Sequence, residues 1–231
     1  GMRTVVNDAM DIQGGSAICR GVHNTLSRSY CAVPIGITVE GANILTRSMI
    51  IFGQGAIRCH PYAKEEMAAV AAQDLNRFDT AFFGHVNFVF RNAARALVQG
   101  LASPITAHCP YSRMNRMSAA FAICAEGAMA TLGGQLKRRE LLSGRLADAL
   151  AWLYMGSAAV KDFSDRGKPE KEKIFLDWSI AHCMHQAETA LSGLLDNLPN
   201  RVAAFALRQL VFPMGPVCPP PSDRLGAKLA Q

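Results

Sequence analysis

The stretch NRFDTAFFGHVNFVFRNAARALVQGL, residues 76–101, decides the fold class of this chain. Phe78, Phe82, Val86, Val89, Ala93 and Leu97 recur within it at three- and four-residue spacing. That period puts them on one face of an α-helix, and the stretch is too long for a strand. Working outward, the same period returns along most of the chain. Val5, Val6, Ala9, Met10 and Ile12 mark a first short helix that the Gly14-Gly15 doublet should end. Residues 16–38 read as irregular, with Gly21, Pro34 and Gly36 interrupting them. Thr38 is expected to cap a helix running through Ile44, Ile51 and Ile57 and stopping before Pro61.

Residues 64–72 form a short Ala-rich helical pattern, and Ser103-Pro104 and Cys109-Pro110 are expected to bracket a loop after the long one. Two long helices follow over 114–163, with a break near Gly133-Gly134. Arg166-Gly167-Lys168-Pro169 punctuates the chain as a helix end and turn. Further helices are expected over 172–198 and 199–212, then an extended proline-rich linker. Ser222-Asp223 can cap one more. No strand-length alternation and no solenoid-like repeat emerges. The expected class is all-α, in helical bundles, divided into 1–62, 63–212 and a linker with a helix start over 213–231. Both ends read as cut, with helix interior beginning almost at once, so a piece of a longer protein is expected.

Composition sets the outer limits. The chain has 231 residues, half of them hydrophobic and 18% charged, which excludes a disordered chain. Its formal charge of +6 comes from scattered residues and favours no particular anionic partner. The one tight basic run, Lys137-Arg138-Arg139, is followed at once by Glu140 and reads as a solvated helix face, so no nucleic-acid partner is expected. Seven cysteines form no C-x-x-C pair, which fits reduced thiols in the cytoplasm and neither a disulfide framework nor a zinc ribbon. The apolar stretch 117–136 has Glu126 as its sole charge and is rich in Ala and Gly, so it reads as a buried, close-packed helix.

One short segment suggests chemistry. In Thr38-Val39-Glu40-Gly41-Ala42-Asn43-Ile44-Leu45 a single carboxylate stands among apolar residues, with no basic residue nearer than Arg47. Close packing there would raise its pKa and make Glu40 a usable base. A first-turn acid held only by the helix dipole is the plain alternative.

Residues 8–62 resemble the end of the acyl-CoA dehydrogenase catalytic domain. Two family segments occur in order. The D-A-x-Q-I-x-G-G-x-G segment is matched by Asp8-Ala9-Met10-Asp11-Ile12-Gln13-Gly14-Gly15-Ser16-Ala17, and Y-E-G-T by Val39-Glu40-Gly41-Ala42. The continuation over 43–62 is similar to the long bacterial acyl-CoA dehydrogenases of fatty-acid β-oxidation, which carry an extra helical region; residues 63–231 would belong to it. The resemblance implies that residues 1–62 close the family's C-terminal four-helix bundle. It also implies oxidation of medium- or long-chain fatty acyl-CoA to trans-2-enoyl-CoA, with FAD as cofactor and electron-transfer flavoprotein as acceptor. Glu40 matches the family's base, Gly41 a residue beside the acyl chain, and Ile12, Gly14 and Gly15 a turn that meets the FAD of a neighbouring subunit. Asp11, Ala17 and Ala42 depart from the family's residues, each changing a contact toward FAD.

The family's other cofactor- and substrate-holding domains have no counterpart in these residues, so the chain alone is expected to be inactive. The resemblance further implies a homo-oligomer; the reduced thiols suit a cytoplasmic location, with peripheral contact at the inner membrane as a second option. Two other readings stand beside it. His182 and His185, with Cys183 and Glu188 nearby, have a spacing that can share a metal, although di-iron bundles need Glu-x-x-His on two helices and no metal is expected. Residues 63–231 alone would suit a non-catalytic helical interaction or dimerisation module, in which Trp152, Tyr154 and Trp178 belong to the core.

Overall fold

The computed structural model describes residues 1–39, 41–106 and 109–231, apart from the side chains of Ile50, Ile51, Pro104 and Thr106. The chain is all-α, with no strand among the described residues. It divides into two compact units, Gly1–Thr46 and Arg47–Gln231.

The first unit contains α1 (Met2–Gln13), a 3₁₀ turn Gly14–Ile18, α2 (Leu26–Ala32), a 3₁₀ turn Val33–Ile35, α3 (Gly36–Val39) and α4 (Asn43–Leu45). Helix α1 stops at the glycine doublet as expected, because Gly14 turns to φ +69°. Thr38 does not cap a helix as expected; it lies inside α3, and the next helix starts from Ala42, which has no side-chain oxygen to offer. Gly41, at φ +81°, thus interrupts what the apolar period alone reads as continuous.

The second unit contains a π-helical turn spanning Thr46–Gln54 from the boundary, then α5 (Gly55–Arg58), α6 (Ala63–Ala71), α7 (Leu75–Thr106), α8 (Pro110–Leu132), a 3₁₀ turn Gly133–Arg138, α9 (Glu140–Asp165), a 3₁₀ turn Glu170–Glu172, α10 (Lys173–Asn197), α11 (Arg201–Val211) and α12 (Asp223–Leu229). Helix α7 overruns its expected end and passes through Ser103-Pro104. Proline has no N–H for the carbonyl of Gly100, and the Ser103 hydroxyl donates to that carbonyl instead, at 2.6 Å. The orphaned acceptor is satisfied, so the helix need not stop.

Helix α8 is the centre of the bundle, packed by α7, α9, α10 and α11. Its apolar stretch is long enough to cross a membrane by length and composition. Its Met117, Ala120, Cys124 and Ala128 are nevertheless buried against protein, as the Ala- and Gly-rich composition suggests. Small residues let the axes approach: a Cβ at Gly127 would stand 2.5 Å from Leu207 of α11. Leu146 of α9 and Met184 and Leu191 of α10 complete the core and are fully buried.

The proline-rich stretch is no free linker. Glu188 of α10 accepts hydrogen bonds from the backbone amides of Val217 (3.1 Å) and Cys218 (2.8 Å). Its Oε1 also takes the Arg116 Nη1 of α8 at 3.1 Å, both side chains being about 4% exposed. The Arg116 guanidinium lies over the Phe212 ring, 5.5 Å from its centroid. Removing one member of such a pair strands a buried charge. Glu188→Ala is therefore expected to lower stability by about 3–5 kcal/mol in urea unfolding, and to open 213–221 to limited proteolysis. The double variant R116M/E188Q should recover much of that loss. A glutamine at position 188 keeps an amide oxygen that accepts from the strap, and a methionine at position 116 leaves no stranded charge.

Candidate functional site

In the first unit the structure draws Ile12, Gly14 and Gly15 into one exposed turn. The Gly14 amide bonds back to the carbonyls of Met10 and Asp11, closing α1. A Cβ at either glycine would meet nothing within 4 Å, and Ile12 is 88% exposed. The turn is held from behind by Asn24, which sequence reasoning did not single out. Its buried amide donates to the carbonyls of Ala17 (2.6 Å), Cys19 (3.0 Å) and Ser16 (3.2 Å), while its Oδ1 accepts from Ser27 N. An Asn in the loop after a glycine doublet carries no signal of its own, because any loop Asn reads as a turn former.

Glu40 lies outside the described residues. Gly41, next to it, has φ +81°. The apolar residues around that position are open to solvent: Ile35, Ile37, Val39, Ile44 and Leu45 are all exposed. The close packing that would desolvate an acid there is not built by these residues alone.

The second unit holds a polar cluster on three helices and the turn that follows α5. His60 follows α5, and its Nδ1 accepts from the backbone amides of Tyr62 (3.1 Å) and Ala63 (2.9 Å), capping the start of α6. The ring proton is therefore on Nε2, which donates to Glu126 Oε1 of α8 at 2.5 Å. His85 of α7 bridges two carboxylates, with Nδ1 2.8 Å from Glu66 Oε1 and Nε2 3.1 Å from Glu126 Oε2. Burial alone would lower the His85 pKa; hydrogen bonds to Glu126 and Glu66 outweigh it and raise the value. The cluster reads as a ladder in which hydrogen bonds run from Glu66 through His85 to Glu126 and on to His60.

The donor atoms of His60, His85 and Glu126 lie within 4.8 Å of one another, a metal-like span. The proton order opposes that use. A metal needs the Nε2 lone pair of His60, and that nitrogen is protonated for as long as Nδ1 faces two N–H donors. The ladder serves instead as a junction tying α6, α7 and α8. The only forewarning in the sequence was Glu126, a lone carboxylate in an apolar helix that had to find a partner.

The pattern around His182 and His185 is dispersed among other tasks. His182 stacks on Trp178 (centroids 5.1 Å apart) and meets Trp152 edge-on at 5.2 Å. Desolvation, then the neighbouring His185, lowers the His182 pKa. His185 Nδ1 pairs with the Cys218 carbonyl at 2.9 Å, and Glu188 is taken by Arg116 and the strap. Tyr154, expected in the core, is 75% exposed.

The family described as "Acyl-CoA dehydrogenase, C-terminal, bacterial type" matches residues 57–231. The chain belongs to that family. No solved structure matches it. The family region takes in every member of the His60–Glu126–His85–Glu66 ladder and the Arg116–Glu188 pair, while the glycine turn and Glu40 precede it.

The raised pKa of His85 fixes the sign of a pH effect. A histidine whose folded value exceeds its unfolded value, about 6.5, contributes stability that is complete below the unfolded value and fades as pH rises through the folded one. The stability difference between the chain and its His85→Gln variant should accordingly be largest near pH 6 and shrink by pH 9, as read from denaturant midpoints across that range.

Proposed function

We propose that this chain is the C-terminal part of a FAD-dependent acyl-CoA dehydrogenase that converts medium- or long-chain fatty acyl-CoA to trans-2-enoyl-CoA. The observation that carries the reading is the family match over residues 57–231, preceded in the chain by the Val39-Glu40-Gly41-Ala42 segment. In this reading Glu40 takes up the α-proton of the thioester at its carboxylate. Its backbone N–H helps hold the thioester oxygen as charge develops there. Gly41, having no Cβ, lets the acyl chain lie against the backbone.

The turn at the end of α1 fits a flat, bulky group. Gly14 and Gly15 leave open space where side chains would stand, and Ile12 offers an exposed apolar surface beside them. Those three residues would hold FAD belonging to a neighbouring subunit, which makes the active enzyme a homo-oligomer. When bound, FAD supplies the acceptor for the β-hydride, chemistry that no side chain offers. Electron-transfer flavoprotein would reoxidise the cofactor, and the location would be cytoplasmic, with peripheral contact at the inner membrane as a second option.

The exposed apolar residues around position 40 are consistent with a base whose water-excluding shell comes from other parts of the enzyme. The isolated chain should accordingly bind no stoichiometric FAD and turn over no palmitoyl-CoA. A second reading, a helical interaction or dimerisation module, is favoured by the outward face of α7, where Phe83, Phe90, Val98 and Ile105 are each more than 60% exposed.

The discriminating experiment is Glu40→Gln in the complete enzyme. FAD content should be unchanged, while α-proton exchange and turnover fall by at least about 10²–10⁴-fold, the range for loss of a general base. Unchanged proton exchange would refute the assignment of Glu40.

A further inference from the structure

A groove of about 630 Å³ runs between the start of α8, the start of α10 and α12, walled on one side by Pro219, Pro220 and Pro221. Four cations line it: Arg113, Lys173, Arg224 and Lys228. Its one lining carboxylate, Asp177, is already engaged by Lys173 Nζ at 2.6 Å. Glu170 and Asp223 stand on neighbouring turns but do not line the groove.

This arrangement works against the fold in isolation. Arg224 and Lys228 are four apart on the seven-residue α12, a like-charge spacing that disfavours a helix. Both are exposed and make no ion pair among the described residues. Two more cations line the groove against the single carboxylate of Asp177, so its lining carries an excess of positive charge. The prolines, lacking N–H groups, keep this wall extended and add no competing donors. The apolar surface that the lining offers comes from Leu225 and the exposed Pro219 and Pro220, which suits organic rather than inorganic matter.

We propose that this groove binds an organic phosphate, with the phosphate among Arg113, Lys173, Arg224 and Lys228 and the organic portion on Leu225 and the prolines. Guanidinium and ammonium groups together suit phosphate oxygens: the first as a planar fork, the second as a point charge. The ligand is either a soluble phosphate ester or a phospholipid head group. The site does not depend on the oxidation chemistry proposed above, and it lies on residues the strap brings together.

The 231-residue chain should be titrated with adenosine 5′-diphosphate by calorimetry and tested for flotation with vesicles of phosphatidylglycerol and phosphatidylcholine, using pure phosphatidylcholine as the neutral comparison. Saturable binding is expected in one arm, and the arm that responds names the source. The variant R224E/K228E should weaken it at least about tenfold, as expected when like charge meets like. The variant K137E/R138E, the same change of charge on the exposed 3₁₀ turn Gly133–Arg138, should leave it within about twofold. R224Q/K228Q serves where charge reversal disturbs the fold, which circular dichroism would reveal, and the same direction of loss is expected. Equal weakening by both charge-reversal variants, or no binding in either arm at low salt, overturns the proposal.

Discussion

A guanidinium and a carboxylate withdrawn from water are tolerable when they meet and the carboxylate's other lone pairs are occupied, even though Nε and Nη2 of Arg116 find no hydrogen-bond partner among the described residues and the guanidinium rests on the Phe212 ring instead. Arg116 and Glu188 meet at 3.1 Å in the centre of the second unit, and Glu188 spends its other capacity on the amides of Val217 and Cys218. That one carboxylate therefore links α8 to α10 and pins the proline-rich strap onto the bundle. Because the strap leads directly into α12, the pair also decides where Arg224 and Lys228 stand. Without it, 213–221 would be the free linker that its composition suggests.

The second polar cluster follows the same logic with different chemistry. Glu126 is the sole charge in an apolar stretch, and it is satisfied by two imidazoles rather than by a guanidinium. The amides at the start of α6 order the proton on His60, and the two carboxylates beside His85 favour its charged form. Distance alone would class the group as a metal site; the direction of its hydrogen bonds makes it a structural joint. The glycine turn proposed to meet FAD is held in shape by a single buried residue, Asn24.

Much of the helical architecture was legible in the residues. The three- and four-residue period located α7, and the Gly14-Gly15 and Gly133-Gly134 doublets located the ends of α1 and α8. The misjudged points were those where a non-periodic contact decides. Ser103 rescues the carbonyl that Pro104 orphans, so α7 continues. Thr38 lies inside a short helix that ends before the positive-φ Gly41. Tyr154 keeps the helical period yet faces solvent, since periodicity marks a face without saying what covers it.

The all-α class, the order of the long helices and the segment resembling a dehydrogenase base could be read from the residues. All of these are local properties, set by backbone period, caps and residues adjacent in the chain. Which distant charges become neighbours is settled by folding alone. His60, His85 and Glu126 are spread over 66 positions yet share hydrogen bonds, and Arg113, Lys173, Arg224 and Lys228 gather on one groove. A charge acts through space rather than along the chain, so a net +6 that looks scattered in the sequence becomes a defined positive surface once the bundle closes.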